Sequence, residues 1–383
     1  MNKRRLVLSC AASLCARALL SPLRLLPVKR TRVLFVSFRG KQYSCNPRAI
    51  SEELEIAAGG RLEIIWAFHE PEKFKKLKTR GIRVISDRGI SFALAALTAR
   101  VVCTNTYYKP YLPRRKAQFY LRTWHGGGAY KRVDYPHGLA GFYIKLQQQG
   151  ADLYLSSSRA FTELTLRGSF AYTGEVLECG MPRNDVLVTG AWRAQAERVR
   201  AELGLTGRRI ALYAPTYREG AQAYAPLQTD KLKAALSERF GGSWAVLYRG
   251  HHVDAVGSSR GVSGFDLDVS AYEDMQTLLC AADVLITDYS SSVWDMSLTG
   301  KSAFLYCPDI DAYRRERDFY TPIDAWPYPL ARDNAELIRN IRAFDPAAYA
   351  QAIKAHHAAL GICESGHASR DCAERIKAIC LGK

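Results

Sequence analysis

The stretch ADVLITDYSSSVWDMS, residues 282–297, runs from an apolar segment through a serine-rich turn toward a helix. Residues 284–287 are predicted to form a buried strand, and the helix is predicted to begin near residue 292. Serine hydroxyls and the first backbone N–H groups of a helix point in the same direction, which is typical of a phosphate site. An ordinary serine N-cap is the alternative. The residues predicted to bind a phosphorylated donor in this turn are Ser290, Ser291, Ser292, Asp288 and Asp295.

Strands and helices alternate on both sides of this turn. Short apolar runs separated by helical segments predict parallel sheets that are covered by helices. The pattern restarts after a predicted connecting helix at residues 192–203, so we predict two successive Rossmann-like, doubly wound α/β domains. The predicted strands are residues 33–37, 62–68, 83–85, 101–104, 121–124, 153–156, 176–178, 210–214, 245–248, 284–287 and 303–306.

The same pattern divides the chain into four parts. In a doubly wound fold, ligands bind at the carboxyl ends of the strands, so the functional site is predicted in the cleft between the two domains. The parts are a basic N-terminal segment (1–31), a first α/β domain (32–190), a second α/β domain (191–345) and C-terminal helices (346–383).

A glycine-rich segment, TWHGGG at residues 123–128, follows one of the predicted strands. Three glycines let the backbone approach a ligand closely and leave His125 unshielded. A histidine in this setting can take a proton from a hydroxyl at neutral pH, so His125 is predicted to be a catalytic base. A purely structural histidine is the alternative. Gly126, Gly127 and Gly128 form the predicted acceptor loop.

Two neighbouring histidines occur in YRGHH, residues 248–252. Arg249 and His251 lie two positions apart and share a face if the segment is extended. A guanidinium and an imidazole together suit a diphosphate under attack, so we predict that Arg249 binds the donor and that His251 belongs to the catalytic centre. His252 points to the opposite face and no partner carboxylate is evident, so no metal site is predicted.

A rigid turn, GMPRND at residues 180–185, presents three polar side chains together. We predict that Arg183, Asn184 and Asp185 contribute to donor binding. A plain turn between the two domains is the alternative.

The chain is strongly basic, with a formal net charge of +17 over 383 residues. Eleven lysines and arginines precede the first acidic residue, Glu52, so the N-terminal part carries most of the imbalance. Such a surface attracts phosphate-bearing partners, which include nucleic acid, anionic lipid and phosphorylated substrates. The ten cysteines form no CxxC pair, so we expect reduced, buried thiols.

The N-terminal segment combines leucines with arginines and lysines. Its first apolar run, residues 6–16, is eleven residues long, which is shorter than the ~20 residues of a membrane-spanning helix. Pro22 and Pro27 are expected to break the segment into short pieces. We expect a basic amphipathic segment that lies on an anionic membrane surface. A helix packed on the protein itself, a cleaved signal and a spanning segment are the alternatives.

Taken together, these motifs resemble the CDP-glycerol glycerophosphotransferase family, which includes teichoic acid primases and polymerases. The motifs keep the order of that family and are distributed over most of residues 33–330. The matching segments are SFRGKQYSCNPRAISEEL (37–54), TWHGGG (123–128), CGMPRND (179–185), YAPTYRE (213–219), RGH (249–251), ADVLITDYSSSVWD (282–295) and CPDIDAYRRERDFY (307–320).

The resemblance implies a GT-B fold with the acceptor on the N-terminal domain and a CDP-linked donor on the C-terminal domain. It implies that an acceptor hydroxyl attacks the phosphorus attached to glycerol or a related polyol, and that CMP leaves. The important histidines of the family carry over onto His125 and His251, and its serine-rich phosphate turn carries over onto Ser290, Ser291 and Ser292.

The partners implied are CDP-glycerol or another CDP-polyol, and a lipid-linked glycan or polyol-phosphate acceptor of a teichoic-acid-like or capsule polymer. The implied location is the cytoplasmic face of the membrane, with peripheral attachment to anionic lipid. No cofactor, metal or nucleic acid is expected. A GT-B glycosyltransferase with a nucleotide-sugar donor is the nearest alternative function. A non-catalytic basic protein would explain the charge but not the ordered cleft motifs.

Overall fold

The computed structural model describes residues 3–106, 109–133, 138–148, 150–216, 226–250, 264–316 and 319–382. In this part of the chain two parallel sheets follow one another, and each is covered by helices on both faces. The predicted division into two α/β domains agrees with this arrangement.

The first sheet contains seven parallel strands within the described residues: β1 (Lys29–Val36), β2 (Glu63–Phe68), β3 (Arg83–Ser86), β4 (Ala99–Thr104), β5 (Phe119–Arg122), β6 (Leu153–Leu155) and β7 (Glu175–Leu177). Their order across the sheet is β3-β2-β1-β4-β5-β6-β7. Strand β1 pairs with β2 on one side and with β4 on the other, so the winding reverses there. This reversal defines a doubly wound sheet, and ligands bind at its carboxyl edge.

The helices described in the N-terminal part of the chain are α1 (Lys3–Leu20), α2 (Cys45–Ala58), α3 (Gly89–Thr98), α4 (Gly138–Gln148) and α5 (Asp185–Val188). Helix α2 buries Ile50, Leu54 and Ala58, which lie four residues apart on one face. They pack against one side of the sheet, whereas Phe92 and Leu97 of α3 belong to the core on the other side.

The second sheet contains six described parallel strands: β8 (Arg209–Ala214), β9 (Trp244–Tyr248), β10 (Leu267–Asp268), β11 (Val284–Thr287), β12 (Ser302–Tyr306) and β13 (Leu330–Ala331). Their order is β10-β9-β8-β11-β12-β13, and the winding reverses at β8. The described helices of this half are α6 (Trp192–Glu202), α7 (Thr229–Phe240), α8 (Met275–Ala281), α9 (Ser292–Ser297), α10 (Ile310–Glu316) and α11 (Asn334–Arg342).

The last two helices, α12 (Pro346–Leu360) and α13 (Ala368–Leu381), pack on different domains. Tyr349 and Ile353 of α12 belong to the core of the second domain. Cys372 and Ile376 of α13 belong to the core of the first domain, where α13 lies against α2. The segment between the two helices therefore crosses from one domain to the other.

The N-terminal segment forms helix α1, which ends just before Pro22, and a short 3-10 turn, Ser21–Leu25. Cys10 and Ser13 face the protein and are buried. Leu8 and Leu19 face outward, with 68% and 81% of their surface exposed. The segment Arg4–Leu25 is long and apolar enough to span a membrane by length and composition, although helices of soluble proteins and signal sequences can meet the same criterion.

Candidate active site

The carboxyl edges of the two sheets border one cavity of about 370 Å³. Residues that follow β1 and β5 line it from the first domain, and residues that follow β8, β9 and β11 line it from the second. Of the residues predicted from sequence, those that line the cavity are His125, Gly126, Gly127, Arg183, Arg249, Ser290, Ser291, Ser292 and Asp295.

His125 follows β5 and lies exposed at the cavity wall. Its Nδ1 lies 2.9 Å from the backbone carbonyl oxygen of Asn105, which follows β4. A carbonyl only accepts hydrogen bonds, so Nδ1 carries the proton and the lone pair of the neutral ring is on Nε2. The Phe38 ring packs edge-on against the imidazole at 5.5 Å between ring centroids. The ring is therefore oriented as a proton acceptor needs to be.

Asn105 is itself fixed by the strand that precedes the cavity. Its Oδ1 accepts a hydrogen bond of 2.8 Å from the Phe38 backbone N–H, and its Nδ2 lies 3.3 Å from Ser37 Oγ. Asn105 is fully buried, so these hydrogen bonds are not exchanged for water. The orientation of His125 thus depends on the ends of β1, β4 and β5 together.

The glycine-rich loop lies against helix α9 of the other domain. A Cβ atom at Gly127 would lie 2.7 Å from Cδ1 of Trp294, and one at Gly128 would lie 3.0 Å from its Cε3. Gly128 also has a φ of +74°, which side chains rarely tolerate. Glycine is required here because Trp294 of the second domain, joined by Tyr130 at Gly128, occupies the space of the missing side chains.

The serine-rich turn connects β11 to α9 as predicted. Ser290 Oγ lies 3.0 Å from Ser292 Oγ and accepts a 3.3 Å hydrogen bond from the Ser292 backbone N–H. Among the described residues, Ser291 makes no side-chain capping bond to α9, whereas the bond from the Ser292 N–H to Ser290 Oγ is of the kind that the N-cap alternative predicts. All three serines border the cavity, and the hydroxyl groups of Ser290 and Ser292 lie close to one another.

Arg249 follows β9 and is half-buried at the cavity wall. Its Nη1 donates a 2.6 Å hydrogen bond to the Tyr272 carbonyl oxygen. Loss of solvation lowers the pKa of the guanidinium, and the nearby Asp274 raises it by a smaller amount. Within the described ranges Arg249 forms no salt bridge, so an anionic ligand would supply the compensating charge. His251 and His252 lie outside the described residues.

Asp288 organises the loop that follows β8. Its carboxylate accepts hydrogen bonds from the Thr216 backbone N–H at 2.9 Å, from Thr216 Oγ1 at 2.5 Å and from the Tyr289 N–H at 2.6 Å. Thr216 lines the cavity, and Lys131 Nζ approaches its hydroxyl at 3.5 Å from the first domain. Asp288 therefore acts on the cavity through Thr216.

Arg183 and Asp295 form a buried ion pair between the domains. Arg183 Nη2 donates to both carboxylate oxygens of Asp295 at 3.0 and 3.1 Å, and Asn184 Nδ2 donates to the same carboxylate at 2.9 Å. Gln276 of α8 donates a further hydrogen bond of 2.9 Å to the same carboxylate. Burial lowers the pKa of Arg183, but the Asp295 charge, the neighbouring Cys45 and the hydrogen bonds to both together raise it by more. The pair fixes α9, and with it the serine turn, to the first domain.

Asp185 has a different position from the one predicted. Its carboxylate accepts hydrogen bonds from the backbone N–H groups of Ala368 and Ser369 at 3.0 and 2.8 Å, and from the Ser369 hydroxyl. These bonds cap the first turn of α13, and Asp185 does not line the cavity. We therefore leave Asp185 out of the proposed donor site.

Sequence reasoning missed Glu364, which lies in the segment between α12 and α13. Its carboxylate accepts hydrogen bonds from the Met181 backbone N–H at 2.8 Å, from Asn184 Nδ2 at 3.0 Å and from Trp294 Nε1 at 3.1 Å. Loss of solvation raises the pKa of Glu364 to about 7. A single glutamate in an irregular segment gives no pattern from which this role could have been recognised.

Within the described residues, no group of three histidine, cysteine, aspartate or glutamate side chains is arranged to hold a metal ion. The cations at the cavity are side chains of the protein, among them Arg249 and Lys131.

Two parallel-sheet domains that face a cleft, with the polar residues at the carboxyl edges of both sheets, define a GT-B transferase architecture. Residues 19–377 match the family described as CDP-Glycerol:Poly(glycerophosphate) glycerophosphotransferase. The chain belongs to this family. The predicted family and the predicted GT-B fold are confirmed.

Relatives and solved structures agree with this assignment. The chain is 29% identical over 333 residues to the teichoic acid poly(glycerol phosphate) polymerase of Bacillus subtilis, covering 83% of this chain and 44% of that protein. It is 28% identical over 339 residues to the teichoic acid ribitol-phosphate primase of Bacillus spizizenii, covering 83% of each protein. A structure of the wall teichoic acid polymerase TagF superposes with a TM-score of 0.80 at 26% identity, covering 98% of this chain and 97% of that one. The chain thus spans less than half of the polymerase but most of the primase.

Proposed function

We propose that this protein transfers glycerol phosphate, or a related polyol phosphate, from a CDP-linked donor to the hydroxyl of a teichoic-acid-like or capsule acceptor. The observation that carries the proposal is the cavity in which an oriented histidine of one domain faces an arginine and three serines of the other. Membership of the glycerophosphotransferase family gives the donor class. One solved TagF structure is of a variant soaked with CDPG, which supports CDP-glycerol as the first donor to test.

Proton transfer is assigned to His125. The acceptor hydroxyl gives its proton to Nε2 while Nδ1 keeps its hydrogen bond to the Asn105 carbonyl. The acceptor oxygen attacks the phosphorus that carries the polyol, and the bond from that phosphorus to the bridging oxygen breaks. CMP leaves with the bridging oxygen, and the polyol phosphate becomes a phosphodiester of the acceptor. Positioning and charge stabilisation account for most of the catalysis in phosphoryl transfer.

Charge stabilisation is assigned to the second domain. Arg249, Ser290 and Ser292, which line the cavity, are proposed to contact the diphosphate, and Thr216, which Asp288 holds, is proposed to lie beside it. The pair of Arg183 and Asp295 holds this wall in place rather than binding the donor directly. His251 is proposed to donate a hydrogen bond to the diphosphate. Replacing Arg249 by Ala is expected to weaken binding of the CDP-linked donor more than binding of CMP, which has one phosphate fewer.

Attachment to the cytoplasmic face of the membrane is proposed for α1 together with α4. The two helices pack on each other, and both expose apolar side chains that include Leu8, Leu19 and Phe142. Arg4 and Arg5 at the start of α1 add the positive charge that anionic lipid attracts. This arrangement suits an enzyme that is held at the surface where a lipid-linked acceptor lies.

The experiment that tests the proposed function is a donor screen with CMP release as the signal. CDP-glycerol, CDP-ribitol and UDP-sugars are each mixed with the protein and a poly(glycerol phosphate) acceptor. We expect acceptor-dependent release of CMP from at least one CDP-polyol. Turnover of a UDP-sugar without turnover of a CDP-polyol would favour the glycosyltransferase alternative and contradict the proposal.

A further inference from the structure

A second polar cluster lies beside the cavity, at the carboxyl ends of β2 and β3. It consists of His69, Asp87, Arg88 and Lys109, and we call it the edge cluster. The turn after β1 connects it to the catalytic site, because Phe38 of that turn contacts His125 and Gly40 of the same turn contacts Asp87. The edge cluster therefore continues the same sheet edge that carries the proposed base.

Asp87 is the centre of the edge cluster and is only 1% exposed. Lys109 Nζ lies 2.8 Å from its Oδ2, and His69 Nδ1 lies 3.4 Å from its Oδ1. Gly40 allows the close approach, since a Cβ there would lie 3.1 Å from Asp87 Cβ and 3.2 Å from the His69 backbone nitrogen. Gly40 also has a φ of +85°, so two constraints favour glycine at this position.

Arg88 is the exposed member of the edge cluster, and it is held in place by His69. Its side chain is 67% exposed, yet Nη2 lies 2.5 Å from His69 Nε2 and 3.1 Å from His69 Nδ1. An arginine only donates, so the His69 ring accepts from Arg88 and restrains the guanidinium. Asp87 Oδ1 lies 3.4 Å from His69 Nδ1 and accepts no hydrogen bond within the described residues. A long exposed side chain that is already oriented loses less entropy when it binds a ligand.

The edge cluster carries more positive than negative charge. Among the described residues, Asp87 is the only carboxylate within ion-pair distance of Arg88 or Lys109. Helix α3 begins directly after Arg88, with Gly89 and Ile90 exposed, and Lys109 lies over the Phe92 ring of the same helix. Two cations beside the first turn of a ten-residue helix favour an anion, and a guanidinium fits the oxygens of a phosphodiester in particular.

We propose that Arg88 and Lys109 bind a phosphodiester of the acceptor chain while its terminal hydroxyl lies at His125. The proposal rests on the proposed function and adds a binding subsite for the polymer on the sheet edge that also carries the reacting group. The headgroup of an anionic lipid has the same phosphodiester chemistry. Continuity with the cavity through the Phe38–Gly40 turn favours the acceptor chain.

The test compares R88Q and K109Q with the matched control R83Q. Arg83 is also exposed and lies on β3, but it pairs with Glu63 near the start of the strand, away from the carboxyl edge. Acceptors are a synthetic oligomer of sn-glycerol 3-phosphate and a neutral glycerol glycoside that ends in the same hydroxyl. We expect R88Q and K109Q each to raise the KM for the oligomer roughly tenfold. The kcat, the donor Kd and the KM for the neutral acceptor are expected to stay unchanged.

Several outcomes would overturn the subsite. An unchanged oligomer KM in both variants would do so, and so would an equal increase in R83Q. Loss of sedimentation on phosphatidylglycerol vesicles with an unchanged oligomer KM would assign the edge cluster to lipid instead. If the wild-type protein releases no CMP with either acceptor, both the proposed function and the subsite are contradicted. Normal turnover with an unchanged oligomer KM in the variants contradicts the subsite alone.

Discussion

At the scale of single residues, His125 shows how a reactive group is prepared by its neighbours. The Asn105 carbonyl fixes the proton on Nδ1, and Ser37 and the Phe38 backbone fix Asn105 in turn. The imidazole that is proposed to meet the substrate is exposed, whereas Asn105, which orients it, is buried. This arrangement restricts ring rotation without closing the cavity.

Replacing His125 by Ala is expected to lower kcat by about 10²–10⁴-fold, because general base catalysis contributes that much to typical reactions. Donor affinity should stay close to the wild-type value, since the donor is assigned to the opposite wall. Initial rates and calorimetric titration with CDP-glycerol measure the two quantities. The matched control is H367A, which removes an exposed histidine that does not line the cavity. Loss of donor binding with normal saturated turnover would contradict the assigned role.

At the scale of elements, the glycine-rich loop and α9 form one contact between the domains. Trp294 occupies the space beside Gly127, and its Nε1 donates to Glu364. The loop that carries the proposed base and the helix that carries the serine turn are therefore positioned by the same tryptophan. A change on one side of this contact should affect both substrates.

Replacing Gly127 by Ala is expected to displace the loop from α9, because the new Cβ would lie 2.7 Å from Trp294 Cδ1. We expect a loss of about 1–3 kcal/mol in the free energy of unfolding and a lower kcat. Gly126→Ala provides the control, since its Cβ would meet its nearest neighbour at an ordinary 3.5 Å. Denaturant titration and initial rates test both variants. Equal effects of the two substitutions would show that the tryptophan contact is not the cause.

Helix α1 presents apolar side chains to the outside, which suits a membrane surface better than water. The double variant L8Q/L19Q removes two exposed leucines and leaves the buried side of the helix intact. We expect weaker sedimentation with phosphatidylglycerol vesicles and unchanged donor binding. Ile56→Gln is the matched control, because Ile56 of α2 is 78% exposed on a different helix. Unchanged sedimentation of the double variant would exclude this face as the attachment surface.

Most strands could be predicted from the sequence because their apolar runs are continuous. Each of the eleven predicted strands overlaps an observed one, for example β11 at Val284–Thr287. The short strands β10 and β13 were missed, since two residues show no periodicity.

Site residues could be predicted where a motif follows a strand. They were harder to predict where contacts between distant parts of the chain determine the role of a residue. His125, Arg249 and the three serines were recognised from their place after predicted strands, and all of them line the cavity. Asp185 and Glu364 were not understood from the sequence, because the partners that define them lie 183 and 180 positions away along the chain. No local pattern reports such contacts.

At the scale of the whole molecule, a polar network joins the domains at the base of the cleft. Arg183 and Asn184 come from the first domain, Asp295 from the second, and Glu364 from the crossing segment between α12 and α13. The two carboxylates of this network, Asp295 and Glu364, each accept hydrogen bonds from at least three groups. Networks of this kind favour one relative orientation of the domains when every member is satisfied.

The network predicts a pH dependence of stability that Glu364 controls. Its pKa rises from an ordinary value of 4.5 to about 7 on folding, because of burial. The folded state then binds the proton more tightly than the unfolded state. The contribution of Glu364 to the free energy of unfolding is therefore most favourable at low pH. It declines as the pH rises through 4.5 toward 7. Thermal denaturation of the wild type and E364Q between pH 5 and 8 measures it.

We expect the Tm of the wild type to fall relative to the Tm of E364Q as the pH rises toward 7. Burial lowers the pKa of His356 and His357, which gives a slope of opposite sign, but this contribution is present in both proteins and cancels in the difference. A pH-independent difference would show that Glu364 does not change its protonation on folding.

Helix α13 has a consequence for the synthesis of the protein. It supplies Cys372, Ile376 and Cys380 to the core of a domain whose other strands and helices precede residue 190. A nascent chain that has reached residue 345 therefore holds a complete second sheet, while the first still exposes the apolar groove that α13 will fill. The domain translated first is the last to finish folding, and a chaperone that shields the groove on the ribosome would act on the N-terminal half.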